Sequence, residues 1–199
     1  MTSASRVRGR SFVYVLLVLG LTLPVGVVAQ GPSDDFLKGT TLFEEHSYSQ
    51  AARSFEAVTK AEPENESAWY YLGLCRLFVG DTEEALAALQ TAAKLEPGRA
   101  GTYLYIGNIY EAQGAPEQAV VAYQEDLRNR RHRNLAEIYN ALGRAYFYAG
   151  YFLDAIASLD KCLQHDPNYL EAIYHRGLTY YYMRASGAGG RRRADAAAC

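Results

Sequence analysis

The chain has 199 residues, of which 49% are hydrophobic and 21% are charged, and it contains 17 tyrosines against 7 phenylalanines. This globular composition excludes wholesale disorder, a collagen-like chain and a small domain that depends on disulfides. The formal net charge of -2 argues against nucleic acid as the main partner.

The first 29 residues have the layout of a secretory signal peptide. A basic stretch precedes the apolar run 12–23, and Pro24 and Gly26 then lead to small residues ending at Ala29. We expect cleavage after Ala29 and export of the remainder to the periplasm or cell envelope. The alternative is an uncleaved membrane anchor formed by residues 12–29, which is near the shortest length that spans a bilayer. Both interpretations place the rest of the chain outside the cytoplasm.

Glycines recur along the rest of the chain at nearly constant spacing. They lie 34, 34, 36 and 34 residues apart, at Gly39, Gly73, Gly107, Gly143 and Gly177. An alanine follows each of the first four by twelve residues, and a large residue comes four residues later. The alanines are Ala51, Ala85, Ala119 and Ala155, and the large residues are Phe55, Leu89, Tyr123 and Leu159. Such a period indicates a repeat architecture.

The repeated pattern resembles the tetratricopeptide repeat, a 34-residue helix–turn–helix unit, and residues 66–99 match it best. The resemblance implies an all-α fold, a right-handed α-α superhelix of four repeats with a final capping helix. We expect the array to span 32–184, with repeats 32–65, 66–99, 100–135 and 136–169 and a partial repeat 170–184. The first unit departs from the pattern at Asp35, where a large residue is usual, and the second at Arg76, where a tyrosine is usual.

Apolar residues recur at intervals of three and four within each unit, as expected for helices with one buried face. Glycine and proline mark the turns between them. The predicted helices are 34–45, 49–61, 66–79, 82–95, 100–113, 116–131, 135–149, 152–164 and 168–184. Residues 185–199 lack apolar periodicity, and we expect them to be a disordered tail.

No pattern of catalytic residues is found. The four histidines, at 46, 132, 165 and 175, form no pair that would place two metal ligands on one helix face, and we expect them at helix ends or on the surface. Glycine-rich phosphate loops and nucleophile elbows are also absent from the sequence. We therefore predict a protein that is not an enzyme and that binds no cofactor or metal.

The three cysteines and one basic run carry further expectations. Cys75 and Cys162 are expected to be small core residues, whereas Cys199 is a candidate for dimer formation, as is the exposed last helix. The basic run 128–133 either closes a solvated helix end or contacts an anionic partner or membrane surface.

The family resemblance implies that the first helix of each unit lines a concave groove. There Asn108 and Asn140 would pair with peptide amides and Arg144 would hold a carboxylate, while about half of the aromatic residues would pack between units. Transfer of the family's groove positions gives Phe36, Phe43, Tyr70, Leu74, Phe78, Asn108, Glu111, Asn140, Arg144, Phe147, Tyr148, Tyr174 and Tyr181.

The sequence thus predicts an exported protein-interaction scaffold that binds a peptide or a partner helix in this groove. Two alternatives stay open. One is a membrane-anchored assembly factor for an envelope complex, and the other is an accessory domain of a larger protein.

Overall fold

A computed structural model describes residues 33–128 and 134–185. The described residues do not include the predicted signal peptide, the part of the basic run from 129 to 133 with His132, or the tail from residue 186 with Cys199. Within those ranges the chain folds into nine helices. They are α1 (Asp34–Glu44), α2 (Tyr48–Ala61), α3 (Glu66–Val79), α4 (Thr82–Leu95), α5 (Thr102–Ala112), α6 (Pro116–Arg128), α7 (Leu135–Tyr148), α8 (Phe152–His165) and α9 (Leu170–Ala185).

The helix boundaries follow local capping chemistry. The side chain of Asn65 accepts a hydrogen bond from the amide of Ala68 and so caps α3, which ends at Gly80 with a φ of 99°. Helices α3 and α4 have the predicted bounds. The fifth helix begins two residues later than predicted, because Gly101 has a left-handed backbone with a φ of 88° and therefore stands outside it. The predicted extension of α6 to residue 131 lies beyond the described residues.

The recurring glycines allow close approach of the two helices in each complete unit. A Cβ atom added at Gly107 would lie 2.3 Å from the Tyr123 ring, and one added at Gly143 would lie 2.6 Å from Leu159 Cγ. Gly39 and Gly73 face Phe55 and Leu89 in the same way. These four large side chains are fully buried, so each of them fills the space that its glycine leaves free.

Neighbouring units are joined by packing and by a recurring polar contact. The second helix of each unit packs on the first helix of the next. A polar contact occurs at the same register position in three successive interfaces. In the first, Glu56 pairs with Arg76. In the next two, the side-chain amide of Gln90 donates to the Tyr110 hydroxyl at 3.2 Å, and that of Gln124 donates to the Tyr146 hydroxyl at 2.6 Å. The departure at Arg76 is therefore accommodated by an acid on the preceding helix.

The five first helices, α1, α3, α5, α7 and α9, form one side of the array. Contacts between first helices join α1 to α3, α5 to α7 and α7 to α9, whereas second helices of neighbouring units make no comparable contact in the described residues. Because neighbouring units approach more closely on the side of the first helices, that side is the inner face of a helical solenoid.

Both described cysteines are buried, as expected for core residues. Burial raises the pKa of the Cys75 thiol to about 12 and that of Cys162 to about 11, so neither thiol is reactive at neutral pH. Across residues 33–128 and 134–185, no helix combines the length and the apolar character needed to cross a bilayer.

Candidate functional site

Aromatic rings fill the inner face at the amino-terminal end of the array. Phe43 contacts Tyr71 edge to face at a centroid distance of 5.4 Å, and Phe36 packs on the buried Phe55 at 5.6 Å. Phe78 lies 4.6 Å from Tyr48, yet 49% of its surface stays exposed. Phe36 and Phe43 thus serve mainly to pack neighbouring units together, and Phe78 is the ring that a partner can reach.

The next position along the inner face is built around Tyr70. The Arg99 guanidinium lies 3.9 Å from the centre of its ring, and Arg99 also pairs with Glu66 at 2.8 Å. The rings of Tyr70 and Tyr105 meet edge to face with their centroids 6.3 Å apart. Burial raises the pKa of Tyr70 to about 12, so this hydroxyl remains protonated at neutral pH. The cation–π contact holds the tyrosine in a fixed orientation at the unit boundary.

Charged side chains meet in the carboxyl-terminal half of the inner face, where three helices come together. The Arg144 guanidinium on α7 donates to Glu111 on α5 at 2.7 Å and to Glu171 on α9 at 2.6 Å. Asn140, which is buried, donates to the second oxygen of Glu171 at 2.9 Å. Arg144 therefore already holds two carboxylates of its own chain, which changes the role expected for it as a receptor for a partner's carboxylate.

The polar network continues into the core of the third unit. The Tyr123 hydroxyl lies 2.7 Å from Asn108 Oδ1 and 2.7 Å from Glu111 Oε2, so Asn108 also has a partner within the chain. Burial opposes the charge on Arg144, but its hydrogen bonds to the Glu111 and Glu171 carboxylates outweigh burial and raise the pKa of Arg144. Burial likewise works against the charge of Glu171, yet the bonds from Arg144 and Asn140 lower its pKa overall. Both shifts favour the charged forms, so the Arg144 guanidinium and the Glu171 carboxylate form an ion pair at neutral pH.

The prediction that all histidines lie at helix ends or on the surface was wrong for His175. Its imidazole is buried in α9, with its Nε2 atom 3.8 Å from Glu171 and its ring against Phe147. The position is buried because α9 packs on both α7 and α8. His46 and His165 are exposed near helix ends, as predicted. In the described residues, no group of three or more His, Cys, Asp or Glu side chains is placed to hold a metal ion.

A second aromatic group lies at the carboxyl-terminal end of the inner face. Phe147 is partly buried and contacts Tyr182 at 5.5 Å, while Tyr148 is 63% exposed. Tyr174 and Tyr181, both on α9, are also exposed. Of the thirteen residues predicted to line the groove, Leu74 and Asn140 are buried, so they support the groove and have no surface for a partner.

The outer face carries a cavity that the groove positions did not predict. It has a volume of about 510 Å³ and lies between α4, α5 and α6. Tyr103, Ile106, Tyr110 and the exposed Val121 line it, and its surface is mainly apolar. No motif marks this site in the sequence, because its lining comes from ordinary interface positions of two units.

Comparisons with known proteins agree with this geometry. A family model described as tetratricopeptide repeat matches residues 66–99 and 136–169, and a second model of the same description matches 36–77. The chain belongs to the tetratricopeptide repeat family. The Xenopus laevis protein "Tetratricopeptide repeat protein 37" is 26% identical to this repeat protein over 127 residues, which are 64% of the chain and 7% of the relative. The chain thus spans only a small part of that relative's length.

Solved structures share the solenoid fold of this repeat protein. A crystal structure of MamA is 23% identical with a TM-score of 0.69, and the match covers 74% of this chain and 79% of that one. A structure titled "MamA 41-end from Desulfovibrio magneticus RS-1" is 18% identical with a TM-score of 0.69 and covers 78% and 88%. YrrB, titled "a TPR protein with an unusual peptide-binding site", is 17% identical with a TM-score of 0.68 and covers 75% and 76%.

The groove residues predicted from the sequence did not include Glu171 and His175, which the structure places beside Arg144 and Phe147. Glu171 lies at the start of α9, and its significance depends on the reach of Arg144 across the boundary between two units. A search for opposite charges on first helices of successive units would have indicated the Arg144–Glu111 pair, since those residues are 33 positions apart.

Proposed function

We propose that the chain is a non-enzymatic scaffold whose inner face binds a peptide or helix of a partner protein. The observation that carries the proposal is the exposure of Phe78 and Tyr148, which occupy the same register position of α3 and α7. Large aromatic side chains left exposed in register are typical of protein-binding surfaces, where they supply contact area with few rotatable bonds. YrrB, which shares this fold and is described as having an unusual peptide-binding site, supports the same use.

The partner chemistry follows from the charged network between the two aromatic groups. Arg144 is neutralised by Glu111 and Glu171, and one negative charge remains in excess. The side chain of Glu171 is also the more exposed of the two carboxylates. The groove therefore favours a partner segment with apolar residues and a central Lys, Arg or amide donor over one that presents a carboxylate.

The proposal is tested by photocrosslinking in cells that make the full chain. A benzophenone amino acid replaces Phe78 in one variant and Val121, which is exposed on the outer helix α6, in the matched control. We expect a discrete protein adduct from position 78 and none of the same mass from position 121. Equal adducts from both positions, or none from position 78, would remove the inner face as the binding surface.

Export to the periplasm or cell envelope belongs to the same proposal and is supported by the layout of residues 1–29. A reporter enzyme that is active only after disulfide formation, fused after residue 40, should be active in a bacterial host. Deletion of the apolar run 12–23 should abolish that activity, and activity that survives the deletion would contradict export by this segment.

A membrane-anchored assembly factor is the second form of the proposal, because residues 12–29 are long enough to be retained. The mass of the mature chain and its distribution between membrane and soluble fractions separate the two forms. A chain beginning at Gln30 in the soluble fraction supports cleavage, and an intact chain in the membrane fraction supports the anchor.

A further inference from the structure

The last helix, α9, presents an unfilled helix-packing position. Its glycine, Gly177, is in the same register as the glycines of the four complete units, yet a Cβ atom added there would meet no atom of residues 33–128 and 134–185 within 4 Å. In the complete units that position is covered by a large side chain of the following helix. Around Gly177 the corresponding face instead leaves Leu170, Ile173 and Tyr180 exposed to solvent.

The four complete units define the chemistry that fills this position. In each, the covering helix carries a small residue and, four positions later, the large residue that lies on the glycine. The pairs are Ala51 with Phe55, Ala85 with Leu89, Ala119 with Tyr123 and Ala155 with Leu159. In two of the units the alanine backbone also approaches the glycine, since the carbonyl oxygens of Ala85 and Ala155 would lie 3.2 and 3.3 Å from the added Cβ.

The sequence beyond α9 does not supply this pattern in register. The positions twelve and sixteen residues after Gly177 are Gly189 and Arg193, so the large apolar residue is missing. Helix α9 supplies the pattern itself, because Gly177 is small and Tyr181, four residues later, is large and 68% exposed.

We propose that α9 of a second copy of this chain covers the Gly177 face in an antiparallel helix pair. Two-fold symmetry then places Tyr181 of the second copy on Gly177 of the first, and the reverse contact follows. Each copy serves both as the helix with the glycine and as the covering helix.

The same register brings complementary groups together along the pair. When residue 177 faces residue 181, residue 174 faces residue 184, so Arg184 of each copy lies opposite Tyr174 of the other. Both side chains are exposed, and Tyr174 has 64% of its surface free. The contact of Arg99 with Tyr70 at 3.9 Å shows that the inner face of this array already uses the arginine–tyrosine pair. No like charges face each other at the described positions of this register.

The interface uses Tyr174 and Tyr181 of the inner face, whereas the groove proposal depends on Phe78 and Tyr148, which lie on α3 and α7. The two proposals can therefore fail separately. One helix from each copy forms a small interface, and we therefore expect a dimer that dissociates at roughly micromolar concentration.

Photocrosslinking of the full chain tests the proposal. A benzophenone amino acid replaces Tyr181, and in the matched control it replaces Tyr148, which is equally exposed on α7. After irradiation, reducing gels exclude a disulfide through Cys199, and mass spectrometry of digested adducts locates the crosslink. We expect position 181 to give an adduct of twice the 22.1 kDa chain mass, joined within residues 170–185, and position 148 to give no adduct with a second copy.

A further variant completes the test by combining Gly177→Leu with the benzophenone amino acid at position 181. The leucine side chain fills the space beside Gly177 that the second copy would occupy. The homodimer adduct should fall at least about tenfold while the melting temperature stays unchanged or rises, since none of the described residues would lie within 4 Å of a Cβ atom at that position. The proposal is overturned by the absence of a homodimer adduct, by an adduct with a different protein, by a crosslink to residues 186–199 of the same chain, or by an adduct that persists in Gly177→Leu.

Discussion

At the scale of single residues, the fold depends on pairs of one glycine and one large side chain. Gly107 and Tyr123 form the tightest of these contacts, since an added Cβ would penetrate a ring that is fully buried. Gly177 has the same sequence position in its unit, but among the described residues no side chain lies on it. The two glycines are therefore a matched pair with opposite expected responses to substitution.

Gly107→Ala should destabilise the chain by about 1–3 kcal/mol, because the new methyl group forces the buried Tyr123 ring to move. Gly177→Ala should be neutral or stabilise by up to about 1 kcal/mol, because alanine favours the helix and meets no neighbour. Urea unfolding followed by circular dichroism measures both. Equal effects of the two substitutions would contradict the assigned repeat register.

At the scale of helices, α7 is the element that joins its neighbours through charge. Arg144 bridges α5 and α9, and the Glu111 side chain that it neutralises is only 13% exposed. Arg176 makes the comparable pair with Asp160 between α9 and α8, but both side chains there are more exposed. The cost of losing an ion pair rises with the burial of the carboxylate that remains.

Arg144→Met should therefore lower the free energy of unfolding by about 1–3 kcal/mol and loosen α9. Arg176→Met, the control, should change it by less than about 1 kcal/mol. Amide hydrogen exchange across residues 170–185 reports the loosening of α9 directly. Unchanged exchange in Arg144→Met would show that α9 is held by apolar packing alone.

The docking of α9 should also depend on pH through His175. Its pKa is lowered from the usual value near 6.5, first by burial and also by Arg144, while Glu171 and Glu111 act in the opposite direction. The unfolded chain therefore takes up a proton at a higher pH than the folded chain does. Stability supplied by the neutral imidazole is present above about pH 6.5 and is lost as the pH falls through the folded-state pKa.

Melting temperatures between pH 7.5 and 5.5 test this dependence. The wild type should lose stability across that interval, and His175→Gln should show a flatter profile. The control His165→Gln removes an exposed imidazole and should leave the wild-type slope intact. A slope that His175→Gln does not change would assign the pH dependence to other groups.

At the scale of the whole molecule, most of the architecture could be predicted from the sequence. The spacing of Gly73, Ala85 and Leu89 placed two helices and their contact, because close packing of two backbones demands a small residue at a fixed position. Arg144 could not be assigned in this way. Its partners lie 33 residues before it and 27 residues after it, and only the folded array shows that both reach its guanidinium.

The residues of the inner face were predicted from their positions in the repeat. The chemistry of that face depends on which of these side chains are buried between neighbouring units and which stay exposed. Phe36 and Leu74 pack within the array, while Phe78 and Tyr148 stay exposed to solvent. Whether a side chain is buried or exposed depends on how closely the neighbouring unit packs over it, and the sequence of a single repeat does not specify that contact.

The most direct test of the inner face as a binding surface is a selection of linear peptides by the purified full chain. The affinity of the selected peptides is then measured for the wild type, for Phe78→Ser/Tyr148→Ser and for the outer-face control Val121→Ser. We predict a loss of about tenfold or more in the double variant, because truncation of an aromatic anchor costs upwards of about 1.4 kcal/mol. The control should bind as the wild type does. Equal affinity in all three proteins would contradict the assignment of the inner face as the partner-binding surface.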